Sequence, residues 1–126
     1  MERVTGIGGV FFKSEDPAAL TEWYVTHLGL PVDEDGYVVL RWGGDVAGTT
    51  VWAPFPTDTT MFGWRPDRQW TVNYRVDDLD AMLAQLREAG VEVSDEMFDD
   101  DPNGRFGHCW DPEGNLIQLW QPHPGM

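Results

Sequence analysis

Only one cysteine, Cys109, occurs in the 126 residues. No internal disulfide can form, and packing must hold the fold, as suits a reducing compartment. Positive charge is scarce too: eight Lys and Arg stand against 22 Asp and Glu, for a net charge of −14 at pH 7. Such a surface repels phosphate backbones and anionic lipid, which sets nucleic acid and membranes aside as partners. The small molecules it attracts are cations, although acidic surfaces also serve plain solubility. No stretch approaches the ~20 apolar residues that span a bilayer. The opening "MERVTGIGGVFF" lacks the charged, apolar and small-residue order of a secretion signal, so the expected location is cytoplasmic. A Ser-centred elbow, a phosphate loop and a zinc-protease helix are also missing.

What is present suffices for a core. An apolar fraction of 41% with seven Trp predicts one folded domain over residues 1–126. The chain reads twice, as modules at about 3–56 and 69–122. "VTGIGGVFFKSEDPAALTEWYVTHLGLPV" and "QWTVNYRVDDLDAMLAQLREAGVEV" each hold an alternating strand, an Asp, an amphipathic helix, a Gly stop and a further strand. Asp16 and Asp78 suit the helix starts, Pro17 the first helical position, and Gly29 and Gly90 the ends. Leu79, Met82, Leu83 and Leu86 share one helical face; Leu20, Trp23, Tyr24 and Leu28 share another. Both stripes are expected to be core. Strands are expected in "GYVVLRW", "GTTVWAPF", "VEVSDEMF", "RFGHCW" and "NLIQLWQP", joined by a loop-rich connection from Pro54 to Arg68. The fold class is α+β, with two tandem βαβββ modules.

The last two strands carry the sharpest local signal. "DPEG" at Asp111–Gly114 is a type I turn, with Pro112 fixing the first central residue and Gly114 free to turn left-handed. Pairing Asp111 with Asn115 sets Trp110 opposite Leu116, Cys109 opposite Ile117, His108 opposite Gln118 and Phe106 opposite Trp120. Cys109, Ile117 and Leu119 then form an apolar face. Phe106, His108, Trp110, Gln118 and Trp120 form a mixed one, of the kind that lines ligand pockets, dimer surfaces or polar sheet faces.

The paired modules, "YRVDDLDAMLAQLREAGVEV" and "DPEGNLIQLWQP" resemble the vicinal oxygen chelate superfamily, the glyoxalase, bleomycin-resistance and extradiol dioxygenase group. The resemblance covers nearly the whole chain and is strongest to small bacterial glyoxalase/bleomycin-resistance proteins. It implies curled mixed sheets around a cleft, often completed by a homodimer. Metal-dependent members hold a divalent ion there with His, Gln or Glu from four strands. The matching positions here are Gly9, Thr71, Gln118 and, near the fourth, Val51. Gly and Val donate nothing and Thr is weak, so Gln118 alone cannot replace an ion's water shell. No metal and no other cofactor is expected. A rebuilt site around His108 would need Glu2, Asp45 or His27 to fold inward, and a His108–Gln118 hydrogen bond is the plainer expectation.

Two motifs fail on inspection. "DDDPNG" opens like a calcium loop, but Trp110 takes the place of its bidentate Glu and Pro102 disturbs it, which leaves an acidic surface turn. "GIGGV" has Phe11 where a dinucleotide fingerprint needs its third Gly. Cys109, on the apolar face, is expected to be a buried small hydrophobe. The leading functional reading is a metal-free protein binding or sequestering a small, partly aromatic or cationic molecule in an acidic, Trp-rich cleft. Strand alternation adds Phe11, Asn73 and Arg75 to the cleft face, and Trp42, Trp52, Trp64, Trp70, Trp110 and Trp120 offer stacking planes. The rival is a lyase, isomerase or dioxygenase-like enzyme acting on a small carbonyl or diol, with a rebuilt metal site or with His108 as acid and base. A ligand-free dimeric scaffold is the third reading.

Overall fold

Two aspartates start the two helices. Asp16 Oδ1 accepts from the Ala19 amide at 3.0 Å, and Asp78 Oδ1 accepts from the Ala81 amide at 3.0 Å. Each satisfies one of the free donors of a first helical turn. The computed structural model describes residues 1–43, 47–62 and 67–126, the Leu28 side chain apart. In chain order the elements are β1 (Val4–Ser14), α1 (Pro17–Leu28), β2 (Val38–Arg41), β3 (Thr49–Pro56), β4 (Trp70–Val76), α2 (Leu79–Glu88), β5 (Phe98–Asp101), β6 (Gly104–Trp110) and β7 (Leu116–Pro122). Gly29, at φ 68°, and Gly90, at φ 80°, take the left-handed conformation beyond the helix ends.

The strands form a single curled sheet in the order β2-β3-β1-β4-β7-β6-β5. β1 and β4 meet antiparallel at its centre, β3 runs parallel to β1, and β7 runs parallel to β4. The architecture is α+β, with the modules joined edge to edge. The Asp111–Gly114 turn sets the β6–β7 register as its chemistry dictates. The Gly114 amide donates to Asp111 O at 3.0 Å, and His108 faces Gln118 while Cys109 faces Ile117.

The core lies beneath α2. Leu79, Met82 and Leu83 bury against Val76, Cys109 and Leu119. Gly107 permits the close approach, because a Cβ there would sit 3.1 Å from Leu83 Cδ1. The stripe on α1 behaves differently from the expected core. Trp23 is 51% exposed, with Leu20 and Tyr24 only half-buried, and the Leu28 side chain lies outside the described residues. Tyr24 rests on Trp52 at 4.7 Å, and Phe12 packs on the same indole at 5.2 Å. These rings fill the space under α1 and leave Trp23 outside, against Tyr24 and His27.

"VEVSDEMF" also departs from its expected strand. Within it only Val93 makes an isolated bridge, to Cys109, and Val91, Val93 and Met97 pack against the α2 core. β5 forms instead from the acidic run read as a surface turn, because Phe98 pairs with Phe106 across the sheet edge. After α1 the corresponding segment is likewise reduced to one bridge, Val32 to Val38. Among the described residues, no helix is long and apolar enough to cross a membrane.

The two helices should therefore answer differently to truncation. Leu83→Ala is expected to cost ~2–5 kcal/mol in urea unfolding, and Trp23→Ala less than ~1 kcal/mol. Equal losses would put α1 in the core.

Candidate functional site

The concave face is built by alternation along three adjacent strands. On β4, Tyr74 and Val76 enter the α2 core, which turns Asn73 and Arg75 the other way. On β7, Leu119 enters the core and Gln118 and Trp120 do not; on β6, Cys109 enters it, and His108 and Phe106 face the opposite side. Parallel pairing sets Asn73 beside Gln118, and antiparallel pairing sets Gln118 opposite His108. Three polar side chains thus lie in a row across three strands, all buried.

They satisfy one another in sequence. Asn73 Nδ2 donates to Gln118 Oε1 at 2.6 Å, and Gln118 Nε2 donates to His108 Nε2 at 3.1 Å. The second bond requires a neutral imidazole with its proton on Nδ1. Burial pushes the His108 pKa below its ordinary value, against a smaller opposing pull from Glu96. The Phe98 ring stands edge-on to the imidazole at 5.8 Å. One atom of the row is left over: Asn73 Oδ1 is buried without a hydrogen-bond partner. Gly8 faces it, and a Cβ there would collide with that oxygen.

In front of this floor is a cleft of about 190 Å³. Phe11, Phe55, Phe98, Phe106 and Trp120 wall it, Asn73 and Gln118 reach it from below, and Asp33 and Asp101 stand among its lining residues. No Lys or Arg among the described residues lines it. Arg75 is occupied nearby, its guanidinium 5.1 Å from the Trp120 ring and 5.0 Å from the Trp42 ring, with Nη1 donating to Thr49 O at 3.1 Å. Trp120 also stacks on Phe106 at 5.9 Å with 2° between the planes, and its Nε1 donates to Asn103 O at 3.0 Å. Trp42, Arg75, Trp120 and Phe106 form one stack that fixes the cleft wall.

Of the residues picked from sequence, Phe11, Asn73, Phe106, Gln118 and Trp120 line the cleft. His108 stands behind Gln118, Arg75 sits in the stack, and Trp110 lies farther along β6 with its buried Nε1 unpartnered. The Trp-rich cleft requires correction: among the described residues Trp120 is its sole tryptophan. Alternation on β3 turns Trp52 toward α1 and Val51 and Phe55 inward. Trp42 covers Arg75, Trp70 stacks exposed on Phe12, and Trp64 lies outside the described residues. Phenylalanine suits a dry wall because it has no N–H to satisfy. Asp33, Phe98 and Asp101 were missed, since they come from a loop and from an edge strand whose acidic sequence concealed it.

The four positions implied by resemblance do not assemble a donor set. The β1 strand shifts register between Ile7 and Gly9, so Gly8 opens onto Asn73, while a Cβ on Gly9 would meet Val51 O. Thr71 Oγ1 donates to Leu116 O at 3.0 Å. The Glu2 backbone bonds the Gln85 side chain on α2, His27 packs tilted against Trp23, and Asp45 lies outside the described residues. The floor offers two carboxamides and one imidazole, engaged with each other. That set does not fit a divalent ion, which needs anionic or several free imidazole donors. Among the described residues no three His, Cys, Asp or Glu gather elsewhere. The Cys109 thiol, pushed up to about 11 by burial and then by Asp111, is a poor nucleophile.

Comparison with known proteins places this geometry. Residues 6–119 match the family described as "Glyoxalase/Bleomycin resistance protein/Dioxygenase superfamily". CFP32 of Mycobacterium bovis and of Mycobacterium tuberculosis, which their names call a candidate glyoxylase, are 30% identical over 101 residues. That match takes in 79% of this chain but only 36% of the relatives' length. A methylmalonyl-CoA epimerase bound to methylmalonyl-CoA and NH4+ superposes with a TM-score of 0.74 at 20% identity, over 98% of both chains. The methylmalonyl-CoA epimerase of Mycobacterium tuberculosis gives 0.64 at 27% identity, over 96% of this chain and 90% of its own.

Because the folded pKa of His108 lies below the unfolded ~6.5, the unfolded chain binds more protons between those two values. The contribution of His108 to stability is complete above ~6.5 and is lost as pH falls toward the folded value. NMR titration of the imidazole should give a midpoint below ~6.5. The matching loss of Tm on acidification should be smaller in His108→Gln. A midpoint at or above the ordinary value would break the neutral row.

Proposed function

The chain belongs to the glyoxalase/bleomycin resistance protein/dioxygenase superfamily, and within it we propose a metal-independent protein that binds or sequesters a small molecule with an apolar, aromatic or cationic body. One observation carries this reading: Asn73 and Gln118, which floor the cleft, and His108 behind them hydrogen-bond one another in a row. Displacing those bonds for an ion would cost two buried hydrogen bonds and return no anionic ligand. The aromatic walls supply contact area, and a net charge of −14 draws cations toward the cleft. A volume of about 190 Å³ lies below the range of ~300–1,000 Å³ usual for drug-sized ligands. Within one chain the cleft suits a small ligand and not a glycopeptide.

The epimerases of like fold favour a second reading, an isomerase or lyase with His108 as acid and base. Against it, His108 Nε2 is turned toward Gln118, and the residue is not among those lining the cleft. A proton-transfer group must come within reach of its substrate.

Metal content tests the metal-independent reading. Protein purified without chelator is expected to hold far less than one divalent ion per chain, and EDTA should leave Tm and the Asn73 and Gln118 side-chain amide resonances unchanged. One tightly bound ion per chain whose removal shifts those resonances would end the metal-independent reading.

A further inference from the structure

The leftover oxygen of Asn73 specifies the ligand more narrowly. Asn73 is only 1% exposed, its Nδ2 is committed to Gln118, and Oδ1 has no partner although the residue lines the cleft. A buried acceptor left without a donor is costly, and native structures rarely leave one unless something else occupies it. Gly8 keeps the space beside that oxygen clear where any other residue would close it. Asp33 and Asp101 are among the lining residues, each with one carboxylate oxygen accepting from amides of its own turn, and no described Lys or Arg lines the cleft to balance their charge.

We propose that the cleft selects a small primary or secondary ammonium with a flat apolar body, its N–H accepted by Asn73 Oδ1 and its ring held among Phe11, Phe106 and Trp120. This rests on the metal-independent binding reading and deepens it. The row of amides sets the sense of recognition. His108 Nε2 accepts from Gln118, so Gln118 turns its oxygen to Asn73, and Asn73 is left with its own oxygen unpartnered beside Gly8. With the row reversed, Asn73 Nδ2 would be the atom left over and would call for an anion, which Asp33 and Asp101 would repel. Aromatic faces and the acidic field attract any organic cation, quaternary ammonium included. The unpartnered oxygen adds an acceptor that rewards a cation with an N–H over one without.

Three probes of matched shape test this: 2-phenylethylamine, its N,N,N-trimethyl analogue and 3-phenylpropionate. Each is titrated into the whole chain while the side-chain amide resonances of Asn73 and Gln118 are followed. The amine should bind roughly tenfold or more tighter than the trimethyl compound, the worth of a hydrogen bond from a charged donor. The carboxylate should bind most weakly. In Asn73→Leu the preference of amine over trimethyl should vanish, and the series on the unaltered chain decides the matter even if that variant fails to fold. Equal binding of amine and trimethyl compound, or tighter binding of the carboxylate, overturns the ammonium assignment and leaves the binding cleft standing. No shift with any probe overturns both.

Discussion

A carboxamide buried in a sheet must find partners for both its ends, and Gln118 finds them on the two strands beside it. Asn73 on β4 donates to its oxygen, and His108 on β6 accepts from its nitrogen. That single constraint orders the site. It fixes the imidazole as neutral, holds three strands in mutual register at their polar positions, and consumes the groups that could otherwise have met an ion. It also leaves one acceptor, Asn73 Oδ1, buried without a partner beside Gly8. An apolar row in the same place would pack as well but would recognise nothing in particular.

The repeated modules make the asymmetry of the cleft visible. Gly9 pairs with Val51 across the parallel β1–β3 ladder, much as Asn73 pairs with Gln118 across β4–β7. The first pair carries no hydrogen-bonding side chain and the second carries two amides. The polar floor therefore belongs to the second module alone, while aromatic and acidic residues line the cleft from both modules. The stack of Trp42, Arg75, Trp120 and Phe106 stiffens the polar side and removes the guanidinium from the cleft. Without that capture, a cation would stand beside the floor and weaken the field set by Asp33 and Asp101.

Much of the fold was legible along the chain because its signals are local. Asp16 and Asp78 cap helices through bonds to amides three residues away, and Gly114 closes a four-residue turn whose chemistry sets the register of β6 on β7. From that register alone His108 falls opposite Gln118 and Cys109 joins the apolar face. Where packing competed with pattern, the pattern misled. Val91 and Val93 alternate like a strand, yet they plug the end of the α2 core, and the acidic Phe98–Asp101 segment forms the edge strand.

Local residue chemistry was enough for the two modules, their helix boundaries, the faces of the last hairpin and the poverty of metal-binding side chains at the expected positions. Each of these follows from residue chemistry and from spacings of a few positions. Long-range packing settled which aromatics wall the cleft, that Arg75 is captured between Trp42 and Trp120, and that Gly8 rather than Gly9 opens onto Asn73. Those outcomes depend on a register shift in β1 and on contacts between residues tens of positions apart. Periodicity along a chain says which side of a strand a residue takes, but not what stands across from it.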